Sequence, residues 1–359
     1  MNKLIKVATI VVLILGCSGT QRTQAQELVD YAYPVSGWIN AYGPNSQSSD
    51  WVTRKSLGDF LDIVMDTVDM PSHPLLHPAL GPFISKFHHA RWWETINTIA
   101  NEPLPATGVR AIKLYSSSWI IQCQDGDDDF TFGIDIAEGP FGPSIYTPNN
   151  TPVQTGQVQA MANALDVYFV SHIHGDHLSA RLIYEMLLRG KPVVATQEIK
   201  DDIIMFGAPN THLVIVPDSE NSQTIGPLTY TCFQGWQYGA FLDAAQTIPD
   251  PDHPFNTSNN AFIFNLNGKD IVHFGDNNDS GIVPFLQTKL NEGWSPDLQM
   301  NLGHYHTTLA PMMNPEQRFL SHDLEFHHFG NAFLSLLVNP NGPSTNRRVL
   351  IWGEYIDIL

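Results

Sequence analysis

Short apolar runs alternate with helix-period stretches along most of this chain. Leu57, Phe60, Leu61, Val64 and Val68 fall on one face of a helix over 57–68. A second helix over 83–100 carries Phe87, Trp92, Trp93, Ile96 and Ile99. Pro71, Pro74, Pro78 and Pro82 break regular structure between them. From about residue 111 the texture changes. Runs at 112–122 and 130–136 read as paired strands around the acidic tip at 125–129. A short helix over 158–164 precedes an apolar strand at 165–170. A helix over 179–188 follows, with Leu182, Ile183, Met186 and Leu187 inward. Further strands are expected at 192–196, 213–216, 228–233, 261–266 and 270–274, and the polar stretch 197–202 leads back to helix or loop. Asn267-Gly268 makes a tight turn between the last two strands.

Helices alternate with strands early, and strand pairs recur. An α/β fold of the αββα sandwich type satisfies both signals. The sandwich is expected over 110–359, with an N-terminal helical appendage over 27–109. In the appendage His88, His89 and Arg91 read either as packing residues or as a wall over a site.

Residues 1–26 stand apart. Lys3 and Lys6 precede an apolar run that is too short to span a bilayer and has the layout of a signal peptide. Ile14-Leu15-Gly16-Cys17 resembles a bacterial lipobox, which makes Cys17 a lipidation site. The expected location is the periplasmic face of a bacterial membrane, or a periplasmic or secreted protein if the signal is a plain one. Cys123 and Cys232 remain in the body. They are a disulfide, two separate buried thiols, or a cysteine metal ligand.

The chain has 18 basic and 36 acidic side chains, a formal charge of −18. Such a surface repels phosphate backbones at long range. A small-molecule or lipid substrate is expected, not nucleic acid. A locally positive metal site still admits an anion.

The chemistry is concentrated in Ser-His-Ile-His-Gly-Asp-His, residues 171–177. His172, His174, Asp176 and His177 are four metal-binding groups within six positions, directly after a buried strand, where α/β proteins place ligands. His172 and His174 can share one ion, while Gly175 turns the chain so that Asp176 and His177 face a neighbouring one. Two ions held about 3.5–4 Å apart activate water and stabilise the oxyanion that follows attack. Asp276, after the strand at 270–274, is a carboxylate able to bridge both. Asp135, inside Phe-Gly-Ile-Asp-Ile, is placed to brace the metal loop. Asp279 reads as a turn cap or supporting group, and His273 as packed or hydrogen-bonded. Further histidines lie at 304, 306, 322, 327 and 328. Of these His328 is favoured as a ligand, while His304, His306 and His322 are left as possible metal or substrate contacts.

These residues resemble the metallo-β-lactamase-fold hydrolases, in HIHGDH at 172–177, FGIDI at 132–136 and HFGD at 273–276. The resemblance implies a first metal on His172 and His174, a second on Asp176 and His177, and Asp276 shared. Short matches at 92–99, 313–317, 327–333 and 352–358 look most like the branch of N-acyl-phosphatidylethanolamine-hydrolysing phospholipase D and its bacterial relatives. Two departures stand out. Where the family places a further first-metal histidine this chain has Gly235, so His253 is the expected substitute, with His212 a poorer one. Where the branch often has histidine before 313–317 this chain has Met312.

The expected activity is hydrolysis of a phosphodiester, in a lipid on the branch resemblance, by water activated on two zinc ions, with manganese or iron as alternatives. Asp176 would orient that water or take its proton. Lactone, carboxyl-ester and β-lactam hydrolysis need similar machinery. An iron-dependent oxidoreductase and a non-catalytic metal-binding protein are the rival classes.

Overall fold

The computed structural model describes residues 81–138, 153–240, 242–243, 248–254, 256–301, 312–320, 347–348 and 352–359. The signal segment with Cys17, the 57–68 helix, and His304, His306, His322 and His328 lie outside the described residues.

Two seven-stranded mixed sheets make the body. The first holds β1 (Val109–Lys113), β2 (Trp119–Asp125), β3 (Asp128–Ile134), β4 (Val167–Phe169), β5 (Val193–Val194) and β6 (Val214–Ile215). The second holds β7 (Ser222–Ile225), β8 (Leu228–Gln237), β9 (Thr257–Leu266), β10 (Lys269–His273), β11 (Leu298–Asn301), β12 (Gln317–Leu320) and β13 (Arg347–Arg348). β14 (Tyr355–Ile358) returns to pair antiparallel with β1. The orders are β14-β1-β2-β3-β4-β5-β6 and β13-β12-β11-β10-β9-β8-β7. Each sheet therefore runs through three antiparallel pairings and then three parallel ones, with β3 and β10 at the change.

The sheets meet face to face through Trp119, Ile121, Phe132 and Phe169 on one side and Tyr230, Phe262, Phe264 and Met300 on the other. Phe169 meets Phe264 with ring centroids 4.9 Å apart. Helices α1 (Gly81–Asn101), α2 (Thr155–Ala164), α3 (Ala180–Leu188) and α4 (Gln197–Met205) cover the outer face of the first sheet. Helix α5 (Ile282–Asn291) covers the second through Ile282, Phe285 and Leu286. This is an αββα sandwich, as the pattern predicts. In α3 the four residues expected inward, Leu182, Ile183, Met186 and Leu187, are the buried ones. Full burial of each contributes roughly 1.5–3 kcal/mol.

One detail differs from the sequence reading, and one alternative it left open is decided. The run at 112–122 is not one strand but β1 and β2. Ser116 takes a left-handed φ of 53°, and the Leu114 N–H donates to Ser118 O at 2.9 Å to close the turn. Cys123 and Cys232 are separate buried thiols in the inter-sheet core. Burial and nearby Asp125 and Asp129 push the Cys123 thiol up to about 11, and burial holds Cys232 well above its ordinary value. Neither is a ready thiolate.

Helix α1 is sewn into the sandwich. Trp92 and Ile96 pack on Ile112 and Ile120, while Trp93 is exposed. The Arg91 Nε donates to Trp352 O. His88 sits among the rings of Trp92, Tyr115 and Trp352, the last at 5.1 Å. Neither of its ring nitrogens has a hydrogen-bond partner among the described residues. Burial, and secondly His89, hold it down to about 3, so it is neutral. No helix among the described residues is long and apolar enough to cross a membrane.

Candidate metal centre

The 171–177 loop leaves the carboxyl end of β4 and runs into α3. Ser179 caps that helix, its side chain accepting from Leu182 N at 3.0 Å, and its hydroxyl donates to the buried Glu138. Arg181 Nε holds the other oxygen of Glu138 at 2.8 Å. A turn closes within the loop, His177 N donating to His174 O at 3.0 Å. The opposite sheet grips the loop as well: Asn260 N, in β9, donates to Ser171 O at 2.9 Å.

Asp135, one residue beyond β3, organises the interior of this loop. Its φ is 48°, a left-handed conformation rare for aspartate outside special sites. Oδ1 accepts from Ser171 N at 2.6 Å. Oδ2 accepts from Ser171 Oγ at 2.6 Å, and from the rings of His177 (Nδ1, 2.8 Å) and His273 (Nε2, 2.7 Å). Burial opposes its charge, but the imidazoles of His273 and His177 outweigh that and hold the carboxyl well below its usual range. It is a brace, as its position within the strand end suggests, and His273 is hydrogen-bonded, as expected of a strand-interior histidine.

Facing this brace are the candidate ligands. One ligand atom each from His172, His174 and Asp276 lies within 4.8 Å of the others. Asp276 directs Oδ2 toward His172 Nε2, at 3.9 Å, and Oδ1 toward His177 Nε2, at 3.2 Å. Asp176 Oδ2 stands 3.6 Å from His177 Nε2. Among the described residues one three-donor group converges, and Asp176 and His177 stand beside it across Asp276. Its loop reaches this point because Gly275, at φ 54°, passes close to Ser171: a Cβ there would stand 2.6 Å from the Ser171 Cβ.

The donor set fits divalent cations. Ser171 Oγ donates to Asp135, so it accepts from His172 Nδ1 at 2.9 Å. The free lone pair of His172 is then on Nε2, which is buried and has no hydrogen-bond partner among the described residues. Burial and His177 hold His172 well below its ordinary value, so its 3.9 Å approach to Asp276 is not an ion pair. Burial also lowers His174, against the pull of Asp176. Both imidazoles are thus neutral, the form that ligates. His177 differs: burial works against its charge, but Asp276, Asp176 and Asp135 push it up to about 10. A cation at its Nε2 would displace a proton that three carboxylates favour, while Nδ1 stays on Asp135, the arrangement common to histidine ligands.

His253 lies in the turn after residue 250, its N–H donating to Asp250 O at 3.4 Å, and is not one of the three converging donors. His212 sits exposed in a short 3-10 turn, Thr211–Leu213. Asp279 caps its own turn, accepting from Gly281 N at 2.9 Å. Gln237 was not singled out by the sequence, yet its Nε2 donates to Asp276 Oδ2 at 2.9 Å. The only local sign was its place two residues after Gly235, on the same face of the strand.

No family model matches the sequence, and no curated protein is significantly similar to it. Comparison with solved structures finds distant likenesses. The metallo-beta-lactamase fold protein YhfI from Bacillus subtilis is 14% identical, covering 69% of this chain and 98% of its own, with a TM-score of 0.44. Unliganded yeast PDE1 is 11% identical, covering 70% of this chain and 100% of its own, at 0.42. CmlA, a diiron β-hydroxylase from Streptomyces venezuelae, is 12% identical, covering 70% of this chain and 54% of its own, at 0.40. At these TM-scores the likeness carries no chemistry over to this chain.

Proposed function

We propose that the protein is a metal-dependent hydrolase of metallo-β-lactamase type that binds two divalent ions, zinc in the first instance. The observation that carries this is the convergence of His172, His174 and Asp276, with ligand atoms within 4.8 Å of one another, together with a buried His172 Nε2 that has no hydrogen-bond partner among the described residues. His172 and His174 would hold the first ion, Asp176 and His177 the second, and Asp276 both. Such ions supply Lewis acidity and a water acidic enough to ionise near neutral pH. Asp135 keeps His177 from rotating. Asp176, whose side chain is 21% exposed, would accept a proton from water and pass it to solvent. The preferred bond is a phosphodiester, on the sequence resemblance at 92–99, 313–317, 327–333 and 352–358, and a lipid substrate follows if Cys17 anchors the chain to a membrane. Export and lipidation are read from residues 1–26 alone, and labelling of the native protein with a fatty-acid probe tests them.

The test of the whole reading is metal content and hydrolysis measured together on a panel of bis-aryl phosphodiesters, acyl esters, lactones and β-lactams. Wild-type protein should bind ions and cleave a phosphodiester, and His174→Ala should lose both. Activity that survives complete metal removal overturns it. A second reading has one observation in its favour. Two histidines and one carboxylate with open positions is also the set used by mononuclear non-haem iron oxygenases. Iron at the X-ray absorption edge of native protein, with redox cycling, would select that reading.

A further inference from the structure

We propose that Gln237 is a ligand of the first ion, through its side-chain carbonyl oxygen, and that it stands in for the histidine the chain lacks at 235. The inference rests on the metal-centre reading above. Three protein donors converge on that position, and an ion such as Mn2+ that prefers six ligands can take a further protein donor and still carry a water. Position 235 cannot provide the fourth. A Cβ on Gly235 would lie 2.5 Å from Asn277 Nδ2 and 2.6 Å from Phe233 Cε1, so β8 has no room for a side chain there.

Two residues further the strand offers Gln237 on the same face. Its amide is already at the site: Nε2 donates to Asp276 Oδ2 at 2.9 Å. That oxygen is the one 3.9 Å from His172 Nε2. The other end of the same planar group, Oε1, is buried and without a hydrogen-bond partner among the described residues. A buried acceptor left alone costs about 1–3 kcal/mol. A cation beside Asp276 removes that cost. The amide would then hold the bridging carboxylate with one end and the ion with the other. An amide oxygen is a harder donor than imidazole, so the exchange of histidine for glutamine also shifts relative preference toward Mn2+ or Fe2+ and away from Zn2+.

The experiment uses the full chain, stripped of metal and titrated with Mn2+ and Zn2+ against a chromophoric chelator, with circular dichroism to confirm folding. Gln237→Ala should weaken the first equivalent of Mn2+ by at least the roughly 10–100-fold that loss of its hydrogen bond to Asp276 would cost by itself, so the glutamate variant carries the distinction. Gln237→Glu keeps an oxygen donor and adds charge, so it should bind Mn2+ at least as tightly as wild type. If Gln237 served only to donate to Asp276, the new carboxylate would repel Asp276 and Gln237→Glu would bind more weakly than wild type, which overturns the proposal. Wild-type affinity in Gln237→Ala overturns it too. Should the alanine variant not fold, the glutamate variant decides alone. A wild-type chain that takes up no divalent ion would instead bring down the metal-centre reading, with this proposal inside it.

Discussion

The two sheets are built to one plan, yet they use the same position for different work. In each, the fourth strand from the antiparallel edge, β3 or β10, runs out through a glycine-containing segment into an aspartate. Asp135 follows β3 and is completely buried, its two oxygens taken by Ser171, His177 and His273. Asp276 follows β10, is 7% exposed, and turns its oxygens toward His172 and His177. One carboxylate is saturated by hydrogen-bonding groups of the protein. The other faces imidazoles offering lone pairs or a displaceable proton. Equivalent placement in a sheet therefore does not fix a residue's chemistry; the groups that meet it do.

The sharpest way to break this comparison is to neutralise each carboxylate in turn. Asp276→Asn should abolish binding of the bridged ions and hydrolysis, and, because Asp276 is the chief group that holds the buried His177 charged, the metal-free variant should also lose stability, by less than Asp135→Ala does. Inductively coupled plasma analysis beside calorimetry reads both. Wild-type ion affinity in this variant, with only stability lost, would make Asp276 a structural residue like its counterpart. Asp135→Ala should cost more stability. It leaves His177 and His273 buried without their common acceptor, so denaturant unfolding should show a loss of about 3–5 kcal/mol. A shift below 1 kcal/mol would remove it from the role of brace.

The neighbouring glycines sharpen the contrast. Gly275 is left-handed, and a Cβ on it meets the Ser171 side chain at 2.6 Å, beside backbone that the metal loop cannot yield. Gly275→Ala should cost roughly 1–3 kcal/mol and weaken metal binding. Gly133 has an ordinary φ, and its Cβ would meet the terminal Cδ1 of Ile136, at 2.5 Å, which can rotate away. The same substitution there should cost less and leave ion affinity alone; equal effects would show the two halves to be mechanically alike.

His88 is a control with no carboxylate brace. Its folded value is about 3 and its unfolded value about 6.5, so the unfolded chain takes up a proton that the folded chain refuses. Stability is present above the unfolded value and falls as pH drops below it, by about 1 kcal/mol between pH 7 and pH 5.5. The difference between wild type and His88→Phe across that range should show this slope. No difference would mean that the imidazole is not held neutral.

Local signals explain how much of this was legible. The β4–loop–α3 segment could be read because a short buried strand, a dense ligand run and a helix of clear period follow each other directly. Asp135 could be read as a brace because a carboxylate inside Phe-Gly-Ile-Asp-Ile has no other use. β11 was missed, since Leu298-Gln-Met-Asn lies in the parallel part of the second sheet and lacks alternation, Leu298, Gln299 and Met300 all being buried. α5 was missed because its core stripe is only Ile282, Phe285 and Leu286. The split of 112–122 turned on one left-handed serine. Gln237 was invisible for a deeper reason: its meaning comes from Asp276, 39 positions away, and only the pairing of β8 with β9 and β9 with β10 brings them together.

The grip on Ser171 from three directions has a practical outcome. Asp135 from one sheet, and Asn260 and the Gly275 turn from the other, hold this backbone without help from an ion. Loading can then proceed with little loss of chain entropy, and a chelator should leave the native shape standing, unlike small zinc modules whose fold collapses on stripping. The scaffold is a reusable socket, and occupancy becomes a matter of supply and affinity.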